Sequence, residues 1–365
     1  MTKNLTFKFR TVLMAIVLMT AAFLQSCQND DFQPIVANDE GIFILNEGAF
    51  GAANASLSYY DRATGEMTNY VFKTKNGVDL GDQGQSIAIF EGKGYLTIQN
   101  DSKIEIINPE DFSSLGTIDA LPSPRYFLGV SSTKAYVSDW GDDGATGSIK
   151  VIDLTTNRVT KTIPTGQGAN KMLKVDQLVY VTNAGGWGRD NTVKVIDSTI
   201  DEVTGTISVG DNPNSIVRDA DGNIWITSSG HTAYNSDWSI DEENSTKPSL
   251  SKIAPGNSET FRLEGNESSY ASMGNLSISP DGRSIYYTYN GGVYKMSTAA
   301  ASLPTTPFIN KSYYSLAIDP ATGNILAGEA PNFSSAGNLD IINSTTGQTL
   351  ETFQVGIAPI SYAFN

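Results

Sequence analysis

A strand motif that recurs at nearly constant spacing is the feature that most restricts how this chain can fold. The motif centres on Tyr95, Tyr136, Tyr180 and Trp225, at intervals of 41, 44 and 45 residues, and a second recurring strand such as 195–197 follows it. Repeats of about forty to fifty residues with several short strands each are typical of β-propeller blades.

The spacing predicts an all-β, seven-bladed β-propeller with four-stranded blades. Apolar runs rich in Val, Ile and Tyr alternate with Gly, Asn, Asp and Pro, which is typical of short strands and turns. The first unit lacks an innermost strand, so residues 360–364 are predicted to close the ring by pairing with 42–46. Six or eight blades stay open as alternatives, because the fifth unit is long and the sixth is weak. The predicted blades are 42–72, 85–118, 124–166, 168–210, 212–265, 273–309 and 313–356.

The first 26 residues have the composition of a secretory signal peptide. Three basic residues precede an apolar run from Val12 to Leu24, and the tetrapeptide Leu-Gln-Ser-Cys ends at Cys27, the only cysteine of the chain,. The tetrapeptide is similar to a bacterial lipobox, so we expect lipidation of Cys27. The alternative is an ordinary signal peptide with an incidental cysteine.

Residues 27–40 are polar and acidic and are predicted to form a flexible tether before a single propeller over 41–365. The tether also resembles the export tag of Bacteroidetes surface lipoproteins. The chain carries a net charge of −15, which becomes −18 without the three cations of the leader. This charge argues against nucleic acid as a partner and leaves the lipid as the expected membrane contact.

The second turn of several blades is long and irregular, unlike the short first and third turns. Such loops are not needed to close a blade, and loops of this kind commonly carry function. Second turns and blade crossings are expected on the same face of the propeller. The long second turns are 48–56, 139–148, 183–192, 228–249 and 329–338.

Three of the four tryptophans, Trp140, Trp187 and Trp238, lie in these long turns, whereas Trp225 occupies a repeated strand position and is predicted to be core. Aromatic rings on a shared rim can contact a sugar or a large amphipathic ring. The alternative is that each ring covers the glycines of its own blade. For the three together we favour the interpretation as a ligand surface.

Polar side chains accompany the tryptophans and can hydrogen-bond an amide-rich or hydroxyl-rich ligand. The alternative, more common for any one residue, is that these groups satisfy backbone atoms of their own loops. The candidates on the rim are Asn183, Arg189, Asp190, His231, Tyr234 and Asn235. The candidates at blade crossings are Arg125, Tyr126, Asn170, Lys171, Asn214, Tyr313 and Tyr314.

No catalytic residue and no cofactor are predicted. His231 is the sole histidine, so the chain cannot assemble a multi-histidine metal centre, and a Ser-His-Asp triad would lack a nucleophile motif,. Asp139, Asp142 and Asp143 offer carboxylates that calcium could use. Their spacing differs from an EF-hand, and a solvated acidic loop is the favoured interpretation.

The strand elements around Tyr180, Val195 and Thr206 resemble the YncE-like family of secreted propellers, over roughly residues 40–365. The opening segment 41–48, the lipobox and the acidic tether are similar to a narrower group of Bacteroidetes surface lipoproteins. The BtuG-type members of that group capture cobalamin and pass it to a TonB-dependent outer-membrane transporter. The resemblance therefore implies a corrinoid binder anchored in the outer membrane and facing the extracellular side.

Other functions fit the same residues. A glycan-binding surface lipoprotein would use the rim tryptophans as sugar platforms. A propeller lyase or lactonase would need His231 or a loop carboxylate as acid or base, and it is the weakest hypothesis because no acid and base pair is recognisable. A purely protein-binding propeller is a fourth possibility.

Overall fold

The computed structural model describes residues 41–254, 260–265 and 271–365. The predicted signal peptide (1–26), Cys27 and the rest of the tether (27–40) lie outside these residues. The described part is nearly all β, with a single helix, α1 (Val71–Asn76), between the first two blades. No helix in those ranges reaches the length and apolarity needed to cross a membrane.

Seven antiparallel sheets form the blades, so the predicted seven-bladed propeller is confirmed. The first four blades each have four strands. Blade 1 contains β1 (Gly41–Asn46), β2 (Ser56–Asp61), β3 (Glu66–Thr68) and the C-terminal β29 (Pro359–Phe364). Blade 2 contains β4 (Gly84–Phe90), β5 (Lys93–Ile98), β6 (Lys103–Ile107) and β7 (Ser114–Ile118). Blades 3 and 4 contain β8 (Pro124–Ser131), β9 (Lys134–Asp139), β10 (Ser148–Asp153) and β11 (Arg158–Pro164), then β12 (Ala169–Val175), β13 (Leu178–Asn183), β14 (Thr192–Asp197) and β15 (Glu202–Ser208).

Blades 5 and 6 carry the irregularities expected from the sequence. Blade 5 is long because a separate hairpin interrupts it, and blade 6 has three strands, with Ile309 bridging Val293 beside the third. Blade 5 contains β16 (Pro213–Arg218), β17 (Ile224–Ser228), β20 (Ser249–Ile253) and β21 (Thr260–Glu264), with the hairpin β18 (His231–Tyr234) and β19 (Ile240–Thr246). Blades 6 and 7 contain β22 (Met273–Ile278), β23 (Ser284–Tyr289) and β24 (Gly292–Ser297), then β25 (Ser315–Ile318), β26 (Ile325–Glu329), β27 (Ala336–Ile342) and β28 (Thr349–Ile357).

The ring closes through β29, as predicted. This strand lies antiparallel to β1, with Ile42 opposite Phe364 and Ile44 opposite Tyr362. The innermost strands contact one another in a complete circle, in the order β29, β4, β8, β12, β16, β22, β25 and back to β29. Closure removes the unpaired edges that an open array of blades would expose.

The hydrophobic core lies between neighbouring blades. Tyr95 and Ile106 of blade 2 pack with Phe127 and Val137 of blade 3, and the rings of Tyr95 and Phe127 stack with centroids 4.0 Å apart. Trp225 is fully buried in the cluster between blades 5 and 6, as predicted. Because successive side chains of a strand point to opposite faces, each blade can bury apolar residues against both neighbours.

The second turns of the blades fall into two length classes. Those of blades 1, 3, 4, 5 and 7 are long, whereas those of blades 2 and 6 need only residues 99–102 and 290–291. The long turns and the blade crossings emerge on one face, because each joins strand ends of the same side of the ring. We call this face the crossing face.

Candidate ligand site at the mouth of the central channel

Bulges at the start of the innermost strands build the site. In six of these strands, the pairing with the second strand of the blade shifts register within the first few residues. A bulge leaves one residue or more without a partner and re-aims its side chain. The skipped residues are Gln85, Arg125, Tyr126, Asn170, Lys171, Asn214, Asn275, Leu276 and Ile360.

Nearly all of these residues line one cavity of about 320 Å³ where the central channel opens on the crossing face. All seven innermost strands contribute to it, the seventh through Leu316 and through Tyr314 directly before β25. The cavity therefore brings together most of the residues predicted at blade crossings, namely Arg125, Tyr126, Asn170, Lys171, Asn214 and Tyr314.

Amide side chains form a belt of hydrogen bonds around this opening. Asn170 donates to the carbonyl of Asn214 at 3.4 Å, and Asn214 donates to the carbonyl of Met273 at 2.7 Å. Asn275 donates to the carbonyl of Tyr314 at 3.0 Å. Each bond joins one blade to the next, so the amides tie neighbouring blades together, and Oδ1 of Asn214 accepts a further hydrogen bond from Thr227 at 2.9 Å. The Oδ1 atom of Asn170 is buried without a hydrogen-bond partner.

Two contacts hold the Arg125 side chain at the edge of the cavity. Its guanidinium lies over the indole of Trp140, with Cζ 4.1 Å from the ring centroid, and Nη1 donates to Oε1 of Gln99. Nε is buried and has no partner. Burial lowers the pKa of Arg125, opposed by the negative charge of Glu47 and by the nearby tyrosines. Cation-π stacking and the Gln99 contact fix the plane of the guanidinium.

Trp140 and Trp187 extend the site from the channel to the rim. Their rings meet edge to face with centroids 5.8 Å apart. Trp140 is half-buried and Trp187 is 78% exposed, with its backbone amide donating to the carbonyl of Gly144 at 3.0 Å. A Cβ at Gly144 would collide with the Trp187 indole, so the glycine permits this close approach,. The exposed Trp187 ring is available for contact with a ligand.

Glu47, directly after β1, joins the same cluster from blade 1. Its carboxylate accepts hydrogen bonds from the Tyr314 hydroxyl and from Nε2 of Gln83, the latter at 2.9 Å. Burial raises the pKa of Glu47, while the Tyr314 hydrogen bond and the Arg125 charge act in the opposite direction. Across the opening, the ammonium of Lys171 lies 5.6 Å from the ring centroid of Tyr126.

Four predicted rim residues, including Asn235, lie instead on the hairpin that interrupts blade 5. His231 begins β18, Tyr234 ends it, and Trp238 forms the tip, where it is 82% exposed. Tyr234 and Trp238 contact each other with centroids 6.5 Å apart. The hairpin supplies an exposed aromatic surface of its own.

The base of the hairpin is tied to blade 4 by Arg189. Its guanidinium forms an ion pair with Asp211 at 2.7 Å, and Asp211 also accepts a hydrogen bond from Thr246 at 2.6 Å. The pKa of Asp211 is lowered, because these hydrogen bonds outweigh its burial. Arg189 is therefore exposed and at the same time stabilises the contact between blade 4 and the hairpin.

Several other predicted residues have structural partners. Asn183 is fully buried and donates to Thr165 and Thr192, and Tyr313 is buried with its hydroxyl donating to Asp340 at 2.7 Å. Asp139 is buried and accepts hydrogen bonds from the amides of Ser123 and Gly141. Asp143 accepts three from the Ala145–Thr146 turn. Within the described ranges no group of three or more acidic, histidine or cysteine side chains is arranged to hold a metal ion.

The sequence reasoning missed four residues of the cluster: Glu47, Gln85, Gln99 and Asn275. A signal for two of them was present, since Gln85 and Asn275 stand one residue after a small residue at the start of an innermost strand, as Asn170 and Asn214 do. Aligning the innermost strands rather than the second strands would have found them. Glu47 and Gln99 both directly follow a second strand.

Comparison with solved structures finds propellers of low sequence identity, which support the fold alone. A quinonprotein alcohol dehydrogenase-like protein from Bacteroides thetaiotaomicron is 16% identical with a TM-score of 0.65, covering 89% of this chain and 78% of its own. Hydrazine synthase from Kuenenia stuttgartiensis is 12% identical with a TM-score of 0.62, covering 90% and 98%. The periplasmic gluconolactonase of Pseudomonas aeruginosa is 12% identical with a TM-score of 0.59, covering 87% and 97%.

At the level of sequence, no curated protein matches the chain. Residues 40–358 match the model of a family described as a domain of unknown function, DUF5074. This match spans the propeller apart from the closing strand β29.

Proposed function

The chain belongs to the DUF5074 family, and we propose that this member is a non-enzymatic, lipid-anchored surface protein that binds a corrinoid and passes it to a TonB-dependent outer-membrane transporter. One observation carries the proposal: Arg125 of an amide-lined cavity stacks on Trp140, and Trp140 in turn contacts the exposed indole of Trp187 on the same face. This combination suits a large ring compound whose faces are apolar and whose edge is rich in amides.

The rigidity of the site supports a binding role. Inter-blade hydrogen bonds of Asn170, Asn214 and Asn275 hold the cavity wall in place, and Trp140 is packed against Arg125. A preformed site loses little conformational freedom when the ligand arrives, which favours high affinity. Recognition would use Trp187 against the corrin face and the cavity amides against peripheral groups.

The proposed location follows from the N-terminal sequence. The predicted signal peptide, which ends before Cys27, and the predicted acidic tether are the features of a lipoprotein exported to the cell surface, where a vitamin can be captured before uptake,. The crossing face would then present the ligand to the transporter.

Isothermal titration calorimetry of the mature protein tests the proposal. We expect cyanocobalamin to bind with a one-to-one stoichiometry and a panel of oligosaccharides to give no heat of binding. Binding of an oligosaccharide without cyanocobalamin would replace this function with glycan capture, which also uses exposed indoles. Co-purification of a transporter by protein that binds neither ligand would replace it with a protein-binding function.

A further inference from the structure

The cavity at the channel mouth is cationic although the chain as a whole is acidic. Arg125 and Lys171 are among the described residues that line it, and no Asp or Glu is. The whole chain carries a net charge of −15. Ion pairs within the described part of the chain use other cations, so neither Arg125 nor Lys171 is neutralised by a salt bridge there. Two such cations in one concave site focus a positive potential on its interior.

The geometry of Arg125 suits an anionic group. Stacking on Trp140 and the hydrogen bond to Gln99 hold the guanidinium plane, while Nε is buried and unpartnered. The indole Nε1 of Trp140 is a second buried donor without a partner. A fixed guanidinium with a free donor edge binds carboxylate and phosphate oxygens through charge-assisted hydrogen bonds.

Lys171 complements this group from the next blade. It lies on the bulge of β12 beside Tyr126, and its long side chain can move toward a bound anion,. Glu47 acts against binding, because its charge interacts with Arg125. This carboxylate accepts hydrogen bonds from Tyr314 and Gln83, and it does not line the cavity.

We infer that the channel mouth holds a subsite for a carboxylate or phosphate group, bound by Arg125 and Lys171; this rests on the proposal that the cavity is the ligand site. A strongly acidic protein repels anions elsewhere on its surface, so anion binding requires a local site of this kind. The anionic group can belong to a free small anion or to a larger ligand such as the phosphodiester of a corrinoid.

Titrations of the mature protein with inorganic phosphate, citrate, cyanocobalamin and cobinamide, which lacks the phosphodiester, test the inference. Binding is followed by calorimetry and by the four indole N–H signals in a ¹H–¹⁵N NMR spectrum. The variants are Arg125→Gln and Lys171→Gln, and Lys174→Gln is the matched control because Lys174 lies exposed on the same strand. Thermal unfolding of each variant checks that it folds. If Arg125→Gln does not fold, the test is made with Lys171→Gln alone.

We expect an anion-bearing probe to move the Trp140 indole signal, and its affinity to fall about tenfold or more in Arg125→Gln or Lys171→Gln, while Lys174→Gln binds as the parent. Glu47→Gln should strengthen the same binding, because it removes the opposing charge. If these two variants lose affinity for phosphate and citrate, the ligand of the subsite is a free anion. If they lose affinity for cyanocobalamin but not for cobinamide, the subsite binds the phosphodiester.

Equal binding of every probe by the parent, Arg125→Gln and Lys171→Gln would overturn the anion subsite. If phosphate or citrate binds through these two residues and cyanocobalamin does not bind at all, the subsite stands and the corrinoid proposal fails. The two proposals are therefore separable in one set of titrations.

Discussion

Two tryptophans of this protein show how environment decides the role of one side chain. Trp225 is fully buried, and its indole Nε1 donates to Asp219 at 2.8 Å. Trp187 has the same ring, yet most of it is exposed beside Trp140. The first ring contributes to folding and the second is available for binding.

Replacing each of these rings by alanine should separate the two roles. Trp187→Ala should weaken corrinoid binding by about 1 to 4 kcal/mol, as expected for an aromatic anchor, and should change the free energy of unfolding little. Trp225→Ala should lower the free energy of unfolding by about 3 to 5 kcal/mol, because it empties a core site and removes one of the hydrogen-bond donors to Asp219,. Melting curves and one titration measure both effects. Normal ligand binding by Trp187→Ala would remove the indole from the site.

At the scale of elements, the hairpin β18–β19 is an addition to blade 5 rather than part of its sheet. Its side chains are mostly exposed or half-buried, and its base is held by hydrogen bonds to Asp211. Because the hairpin makes few buried apolar contacts, we expect it to add little to the global stability of the propeller,.

Replacing the hairpin with a short glycine-containing turn tests whether it belongs to the site. We expect the melting temperature to change by only a few degrees, because the four strands of blade 5 keep their pairing,. We also expect affinity to fall, since Tyr234 and Trp238 are lost together. Unchanged affinity would restrict the site to the channel mouth and Trp187.

The strand β29 is the element on which closure depends. It pairs with β1 and contacts the innermost strands of blades 2 and 7. Deleting residues 359–365 should expose the edge of β1 and cost much of the cooperative stability. Removal of Asn365 alone is the control, and chemical denaturation compares the two. A full deletion that unfolds like the parent would contradict closure by this strand.

At the scale of the whole molecule, the proposed surface location requires a means of attachment to the membrane. Lipidation of Cys27, the sole cysteine, is the predicted means. One saturated acyl chain binds membranes weakly, so stable anchoring needs more than one chain, as bacterial lipoproteins carry.

We expect Cys27→Ser to abolish lipidation and release the protein from membranes. The variant should retain its melting temperature, because residue 27 precedes the propeller. Membrane fractionation followed by immunoblotting measures the distribution. Retention in the outer-membrane fraction at the parental level would mean that a protein partner, rather than the lipid, holds the propeller there.

Periodic patterns in the sequence determined the strand order, the seven blades and closure by the chain end, because strand alternation and turn residues act locally and repeat with each blade. They also placed Arg125, Tyr126 and Lys171 at blade crossings on one face. Because the repeat reflects the features common to all blades, it predicts the fold.

The tertiary structure alone decided which of those residues meet. Tyr313 and Tyr314 are neighbours in the chain, yet the first is buried against Asp340 and the second lines the cavity, because successive side chains of an extended chain point in opposite directions,. Contacts such as Trp140 with Trp187 and Glu47 with Tyr314 join different blades, so they form only when neighbouring blades pack together. The second contact joins blades 1 and 7 and therefore also needs closure of the ring. The bulges that turn the lining side chains into the channel likewise depend on pairing between strands, which no local pattern specifies.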